Sequence, residues 1–204
     1  LSLTLPDGTE VKLNSGSRLV SPQQFTGASR KVFLEGEAFF DVTEDPSRPF
    51  LVETESFQVK VLGTSFNIRS YQQEENSTVA VVSGKVMVSN SPANQVANEE
   101  VLTPDQMLVY SSKNSNWVKK NGFNQDLVLG WRDQKLIFQE DRINSILQTL
   151  ARWYGVEFQL DTHLDTQREY TAKFNNPTLK EVMESLSYNY KFSYEINDEK
   201  VIIQ

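Results

Sequence analysis

The sequence predicts a mainly β protein with a smaller α+β part at its C-terminal end. Short apolar runs with a period of two, separated by turn residues, fill the chain up to about residue 112. A polar stretch follows, and residues 131–204 then contain two copies of one strand–helix–strand pattern. The length of 204 residues allows one large domain or two small ones.

The first predicted element is a β-hairpin around the turn Pro6-Asp7-Gly8-Thr9. Leu3 and Leu5 precede this turn, and Val11 and Leu13 follow it with the alternation of a half-buried strand. Proline restricts φ and glycine supplies the tight conformation that a turn requires. The two flanking runs are therefore expected to pair.

Further β-rich runs follow up to residue 112, and most are separated by Gly, Pro, Asn or Ser. Many short strands at this spacing are typical of an all-β sandwich, a roll or a solenoid-like stack, and the pattern leaves all three open. The predicted runs are Lys31–Leu34, Glu37–Val42, Phe50–Thr54, Phe57–Leu62, Phe66–Tyr71, Thr78–Val82, Lys85–Val88 and Met107–Tyr110.

Residues 113–130 interrupt this pattern and are predicted to be a linker. The stretch is rich in Asn and Lys and contains Gly122, with Trp117 and Phe123 as its aromatic residues. The predicted organisation is therefore an all-β domain at 1–112, a linker at 113–130 and a duplicated β-α-β domain at 131–204.

The duplication in the C-terminal region has an offset of 36 residues. In each copy a strand is followed by a helix with apolar residues at i, i+3, i+4 and i+7, and then by a run with a period of two. The equivalent pairs include Phe138 and Phe174, Ile143 and Leu179, Ile146 and Val182, Leu147 and Met183, Leu150 and Leu186, Tyr154 and Tyr190, and Phe158 and Tyr194.

Capping residues define the ends of the two predicted helices. Asp141 is the expected N-cap of the first helix, and Gly155 is the expected left-handed residue after its last turn. Thr178 and Glu181 have the spacing of a capping box at the start of the second helix. Lys191 stands where the first copy has Gly155, so the second helix is expected to end differently, through Asn189.

The composition excludes several classes of function. There are 20 basic and 27 acidic residues, giving a net charge of −7, and this balance argues against nucleic-acid binding. The chain contains no cysteine and one histidine, which excludes thiol nucleophiles, disulfides and Cys-bearing zinc sites. No apolar run approaches the length of a membrane span. Since the chain starts at Leu1 inside an expected strand, we expect no signal peptide and a mature or excised fragment.

Two clusters of acidic residues are considered as sites and are not favoured. Glu35, Glu37 and Asp41 are expected on one face of a strand, where paired carboxylates could serve glycoside hydrolysis but are predicted to form a solvated face. The run Asp161-x-His163-x-Asp165 has metal-ligand chemistry but is predicted to be a polar loop. We therefore expect no enzymatic activity, no metal and no cofactor; a carbohydrate-binding or carbohydrate-active β scaffold is the alternative.

Six motifs occur in order along the chain and together resemble the FecR family of transmembrane sigma-factor regulators, in its Bacteroidetes form. The region from Trp131 to the end resembles the C-terminal domain of those proteins, which is related to the secretin and TonB short N-terminal (STN) domain. The motifs are Leu5-Pro6-Asp7-Gly8-Thr9 with Val11 and Leu13-Asn14, Gly36-Glu37-Ala38-Phe39-Phe40-Asp41-Val42, Pro49-Phe50 with Val52, Val61-Leu62-Gly63-Thr64-Ser65-Phe66-Asn67, Gly84-Lys85-Val86, and Leu102-Thr103-Pro104 with Gln106.

The resemblance implies a cytoplasmic anti-sigma segment, one inner-membrane helix and a periplasmic part, and this chain matches the periplasmic part alone. In such proteins the periplasmic part receives a signal from the signalling domain of an outer-membrane TonB-dependent transporter. The sigma factor is contacted only through the cytoplasmic segment, which is missing from this sequence. The expected location is therefore the periplasm, as a soluble region of a single-pass inner-membrane protein.

The expected docking site for the transporter domain is on the duplicated C-terminal region. An open sheet has edge strands, to which an incoming strand can add. The segments Arg168–Phe174 and Val201–Gln204 are the candidate edges, the second also being able to pair with Phe192–Ile196. The predicted partner-binding residues are Tyr170, Tyr194, Val201, Ile202 and Ile203.

Overall fold

The computed structural model describes residues 1–90, 99–160 and 164–204. It divides into two compact units, Leu1–Asn124 and Gln125–Gln204. We call them the N-terminal unit and the C-terminal unit. The described part of the N-terminal unit is built from strands alone. The predicted fold class, mainly β with a smaller α+β part, is confirmed.

The N-terminal unit contains twelve strands in its described residues. They are β1 Ser2–Thr4, β2 Glu10–Leu13, β3 Arg18–Val20, β4 Arg30–Asp41, β5 Phe50–Glu53, β6 Phe57–Val61, β7 Ser65–Ser70, β8 Asn76–Ser83, β9 Val86–Asn90, β10 Glu99–Leu102, β11 Gln106–Ser111 and β12 Asn116–Asn121.

One continuous path of strands runs in the order β10-β9-β6-β5-β4-β7-β8-β11-β12. Off this path, β2 and β3 pair with β4, and β1 pairs with β2. Strand β4 joins the two halves, because its first part pairs with β3 and β5 and its second part with β2 and β7. Leu102 of β10 and Leu108 of β11 belong to the same buried cluster, although their strands lie near opposite ends of the path. The sheet therefore curls around one core, which resolves the alternatives that the sequence left open.

The predicted hairpin is present, with β1 and β2 antiparallel. Gly8 has φ of 85°, and its N–H donates to the carbonyl of Leu5. The two predicted runs Lys31–Leu34 and Glu37–Val42 form one strand, β4, because Gly36 continues the chain with φ of 103° instead of ending it.

The predicted linker at 113–130 is wrong as a description of secondary structure. Residues 116–121 form β12, which pairs with β11 along its length, and Trp117 lies edge-on to Tyr110 with ring centroids 6.2 Å apart. An edge strand needs only one bonded side and little burial, so its polar sequence lacks the alternation that identifies inner strands.

The C-terminal unit has the predicted duplicated order of strand, helix and strand. It begins with α1 Gln125–Leu129 and a 3₁₀ turn, Gly130–Asp133. The elements that follow are β13 Lys135–Arg142, α2 Ile143–Tyr154, β14 Glu157–Leu160, β15 Glu169–Asn175, α3 Leu179–Tyr190, β16 Tyr194–Asn197 and β17 Lys200–Ile203.

These strands form two sheets rather than the single open sheet that we expected. Strands β13 and β15 pair antiparallel, while β17 lies between β14, which is parallel to it, and β16, which is antiparallel. The apolar faces of α2 and α3 supply much of the core, including Ile146, Leu150, Val182 and Leu186.

The helix ends follow the sequence in two cases out of four. Thr178 and Glu181 form the predicted capping box, and Gly155 ends α2 in the left-handed conformation. Asp141 is not the N-cap of α2: its carboxylate accepts from the N–H of Gln139, and Arg142 occupies the cap position without a side-chain bond. Helix α3 ends at Lys191, which takes the left-handed conformation that Gly155 has in the first copy.

Candidate functional site

The Leu5-Pro6-Asp7-Gly8-Thr9 motif holds a buried ion pair. Arg30 Nη1 donates to Asp7 Oδ2 at 2.7 Å and to the carbonyl of Thr43 at 2.8 Å, and Arg30 Nε donates to the carbonyl of Arg48. The side chains of Asp7 and Arg30 are only 6% and 1% exposed. The motif therefore ties the turn between β1 and β2 to the start of β4, and neither charge is accessible to a ligand.

Glu37 is the centre of a second buried network. Its carboxylate accepts from the amides of Asn14 and Asn67 and from Arg69 Nη1, at 2.9–3.0 Å. Burial lowers the pKa of Arg69, but the opposing charges of Glu37 and Glu74 outweigh it and hold this pKa above its usual range. Asn14, Glu37 and Asn67 belong to three of the six motifs, so these motifs meet in one structural cluster.

The expectation that Glu35, Glu37 and Asp41 share a solvated face is wrong. Ala38 and Phe40 keep the core side of β4, so Glu37 stays on the same face as Asp41, but Asn14, Asn67 and Arg69 cover it and it is only 3% exposed. Asp41 is exposed and accepts from Ser65 Oγ. The three carboxylates do not converge as a glycosidase pair requires.

Glu35 instead lines a cleft of about 300 Å³ in the N-terminal unit, together with Glu55 and Glu74. Glu74 is already engaged there, since Arg69 donates to both of its oxygens. In the described part of the chain, no group of three or more histidine or acidic residues is arranged to hold a metal. Asp161 and His163 of the considered metal cluster lie outside the described residues.

The predicted docking residues of the C-terminal unit differ in their accessibility. Tyr170 is 6% exposed, and its hydroxyl lies 2.7 Å from Ser185 Oγ. Val201 and Ile203 are fully buried, while Ile202 and Tyr194 are half-buried. Three of the five predicted residues are therefore part of the core.

The expectation that Val201–Gln204 forms a sheet edge is wrong. Strand β17 is bonded on one side to β14 and on the other to β16. Its alternating Val201 and Ile203 face the helices, and the hydrophobic gain is largest when such a strand is central. The edges of this sheet are β14 and β16.

Backbone geometry identifies which groups of β16 are free. Ser193 and Gln204 exchange both of their N–H···O bonds. Bonded pairs alternate in an antiparallel ladder, so Glu195 bonds Ile202, and the main-chain groups of Tyr194 and Ile196 point away from β17. Among the described residues no other strand pairs with β16 on that side.

The β16 edge also carries apolar side chains. Tyr194 lies edge-on to Phe192 at 6.4 Å, and Ile196 is 38% exposed at the margin of the sheet. Burial raises the pKa of Tyr194, and the charge of Glu184 adds to this effect, so that its phenol stays neutral. Sequence reasoning missed Ile196, although its alternation with Tyr194 places both on the core-facing side.

Two family models match the chain: FecR protein at residues 1–87, and FecR, C-terminal, at residues 135–203. Two crystal structures of a candidate anti-sigma factor from Parabacteroides distasonis ATCC 8503 are similar to it, each with 34% identity and a TM-score of 0.86. They cover 100% of this chain, which covers 93% and 92% of theirs.

The chain belongs to the FecR family. This confirms the resemblance drawn from the six motifs. FecR proteins are regulators of a non-enzymatic kind, and the match to a candidate anti-sigma factor supports a role in sigma-factor regulation. A comparison with curated proteins finds no match. In the residues that the structure describes, no helix has the length and apolarity needed to cross a membrane.

Proposed function

We propose that this FecR-family chain is the periplasmic signal-receiving region of an inner-membrane sigma-factor regulator. Its C-terminal unit binds the signalling domain of an outer-membrane TonB-dependent transporter. A segment of the parent protein outside this chain contacts the extracytoplasmic-function sigma factor, and the chain itself binds no cofactor.

The free edge of β16 is the observation that supports this proposal. Tyr194 and Ile196 present unpaired N–H and C=O groups on one side of a three-stranded sheet. An incoming strand would satisfy these groups and would cover the exposed part of Ile196. A tyrosine beside the edge is a typical interface anchor. The proposed docking strand is therefore β16, in place of its neighbour β17, which the sequence had predicted.

The test is a calorimetric titration of the chain with the purified signalling domain of the transporter encoded beside the parent protein. Ile196→Pro removes an N–H that points away from β17, so the internal ladder is kept while the donor for the partner is lost. We expect the affinity to fall by at least about tenfold, a change of about 1.4 kcal/mol. Absence of binding by the unchanged chain would refute the transporter assignment.

The opposite edge provides a matched control. The main-chain N–H of Glu157 donates to the carbonyl of Glu199, so Glu157 and Gln159 direct their main-chain groups towards β17 in the parallel β14–β17 ladder. The main-chain groups of Phe158 and Leu160 therefore point outward. Leu160→Pro is thus the same change on the other edge and should leave the affinity unaltered. Equal losses for both variants would place docking away from β16.

Hydrogen exchange on the unchanged chain gives a measurement that does not depend on the folding of either variant. The amides of Tyr194 and Ile196 should become protected in the complex, while those of Phe158 and Leu160 should not. Protection confined to β14 would contradict the proposal.

A further inference from the structure

The N-terminal unit has an apolar groove that the β16 edge does not account for. Its volume is about 510 Å³, and Pro46, Pro49, Leu62, Met87 and Val101 are among its lining residues. The volume is within the range of sites that receive a ligand or several side chains of a partner. The groove lies entirely within this unit.

The floor of the groove is a row of side chains on the outer face of the curled sheet. Val101 of β10 is directly opposite Met87 of β9, which is directly opposite Lys60 of β6. Leu62 is two residues beyond Lys60, and it is 45% exposed, while Val101 is 40% exposed. Apolar side chains that cluster on a solvated sheet face mark an interaction surface when they are contiguous.

Two lysines give this apolar surface a positive charge. Lys60 and Lys85 both line the groove and are exposed. In the described part of the chain neither forms an ion pair, whereas nearby Asp45 is already bound to Arg48 at 2.8 Å. The two lysines outnumber Glu44, which packs against Gly63 at the groove, and on a chain with a net charge of −7 this local excess of cations favours an acidic partner.

The adjacent edge strand does not offer a competing mode of binding at this point. Lys119 Nζ donates to the carbonyl of Val101 at 2.6 Å and lies 3.9 Å from Glu100. This contact occupies an edge carbonyl of β10, and a lysine at an edge disfavours the addition of a strand. The face of the sheet, rather than its edge, is therefore the accessible surface.

We propose that this groove binds an extended acidic segment of a partner protein, with an apolar side chain in the groove and flanking carboxylates on Lys60 and Lys85. The apolar floor contributes burial, and the two lysines select for Asp or Glu beside the buried residue. This surface is distinct from β16, so a test of the groove gives its result independently of whether β16 binds the transporter domain.

Fluorescence anisotropy with a labelled peptide tests the proposal on the full chain. The probe has a central Leu-Phe pair with three glutamates on each side, and the comparison peptide has lysines in place of the glutamates. We expect saturable binding of the acidic probe, no binding of the basic one, and weaker binding as the salt concentration rises. Equal binding of both peptides, or of neither, would overturn the proposal.

Two variants locate the site. Lys60→Glu with Lys85→Glu should weaken the acidic probe by about tenfold or more, and Leu62→Asp should weaken it comparably. The double variant Lys12→Glu with Lys113→Glu makes the same change in net charge at residues that do not line the groove, and should have a much smaller effect. Equal losses in the two double variants would show that general electrostatics, and not the groove, binds the probe.

Light scattering across a concentration series tests the competing occupant, a second copy of the chain. The chain should remain a monomer by this measurement. A dimer that Leu62→Asp dissociates would assign the groove to self-association and refute the acidic-segment proposal.

Discussion

Replacing Asp7 by asparagine removes the charge that balances buried Arg30 and leaves nearly the same shape. The Asp7 Oδ1 bond from the N–H of Thr9 can be kept by the asparagine oxygen, whereas Oδ2, which accepts from Arg30 Nη1 and from Thr9 Oγ1, becomes an NH2 group that accepts from neither. Arg30 is fully buried, and one of its terminal nitrogens, Nη2, already has no partner in the structure. Arg30 therefore has no route to water once its carboxylate is gone.

The expected loss follows from this burial. Removing one partner of a buried ion pair costs about 3–5 kcal/mol in the free energy of unfolding. With a urea dependence of about 1–3 kcal/mol per molar, the unfolding midpoint of the N-terminal unit should fall by at least about 1 M. Such a loss is a large part of the stability of a small domain.

The assay needs a signal that belongs to the N-terminal unit alone. The chain has three tryptophans, and Trp117 is the one that packs against the core of this unit. In a background with Trp131→Phe and Trp153→Phe, the fluorescence of Trp117 should follow the unfolding of this unit in urea. The measurement is made at pH 7.

The control is Asp45→Asn, which breaks an Asp–Arg pair of similar length at the surface. The hydrogen bond that the Asp45 carboxylate accepts from Ser47 lowers the pKa of Asp45 to about 2; slight desolvation opposes this effect and Arg48 adds to it. Asp45 is therefore fully ionised in the assay. We expect a midpoint close to that of the unchanged chain, because exposed pairs contribute little.

A third variant separates the unpaired charge from other effects. Combining Asp7→Asn with Arg30→Met removes both charges and should recover part of the loss. The reasoning is refuted if Asp7→Asn costs no more than Asp45→Asn, or if the double variant is no more stable than Asp7→Asn.

Three further predictions concern the C-terminal unit. Thr178→Ala should lower its unfolding free energy by about 1 kcal/mol in urea, because the capping box is lost, whereas Asp141→Ala should cost less, since Asp141 does not cap a helix; equal losses would contradict the cap assignment. Lys191→Gly should raise the unfolding free energy of this unit by about 1 kcal/mol, because glycine takes the left-handed conformation without strain. Gly155→Ala should lower it for the same reason. A Lys191→Gly variant less stable than the unchanged chain would exclude backbone strain at Lys191. Burial first, and then the charge of a nearby glutamate, raises the pKa of Tyr154 to about 12. The stability that this phenol contributes is therefore complete below pH 10 and is lost as the pH rises towards 12, and Tyr154→Phe should flatten this part of the stability–pH curve, measured by thermal unfolding.

Features that depend on neighbouring residues were predictable from the sequence. The hairpin at Asp7-Gly8, the capping box at Thr178 and the left-handed end at Gly155 each involve groups within a few positions of one another. The repeat offset of 36 residues also correctly indicated the equivalence of α2 and α3, because apolar spacing within one helix is a local property.

Other features depended on contacts between distant parts of the chain. Glu37 appeared solvated by alternation, yet it is buried by Arg69, 32 residues later, and by Asn67, 30 residues later. Arg30 is two residues before buried Val32 on β4, so the alternation of the strand could have indicated that Arg30 is buried as well. Its partner Asp7 could not be identified in this way, because it lies 23 residues earlier. Burial of a charge is favourable only where a partner is present, so the tertiary structure decided it.

The proposed docking edge also combines a local feature, which the sequence predicted, with one that depends on distant parts of the chain. The sequence by itself determined that β16 and β17 are strands, since their period of two is local. Which of them is the edge depended on β14, more than 30 residues earlier, occupying the second side of β17. An isolated strand has two equivalent bonding sides, and only the arrangement of its neighbours decides which side remains free.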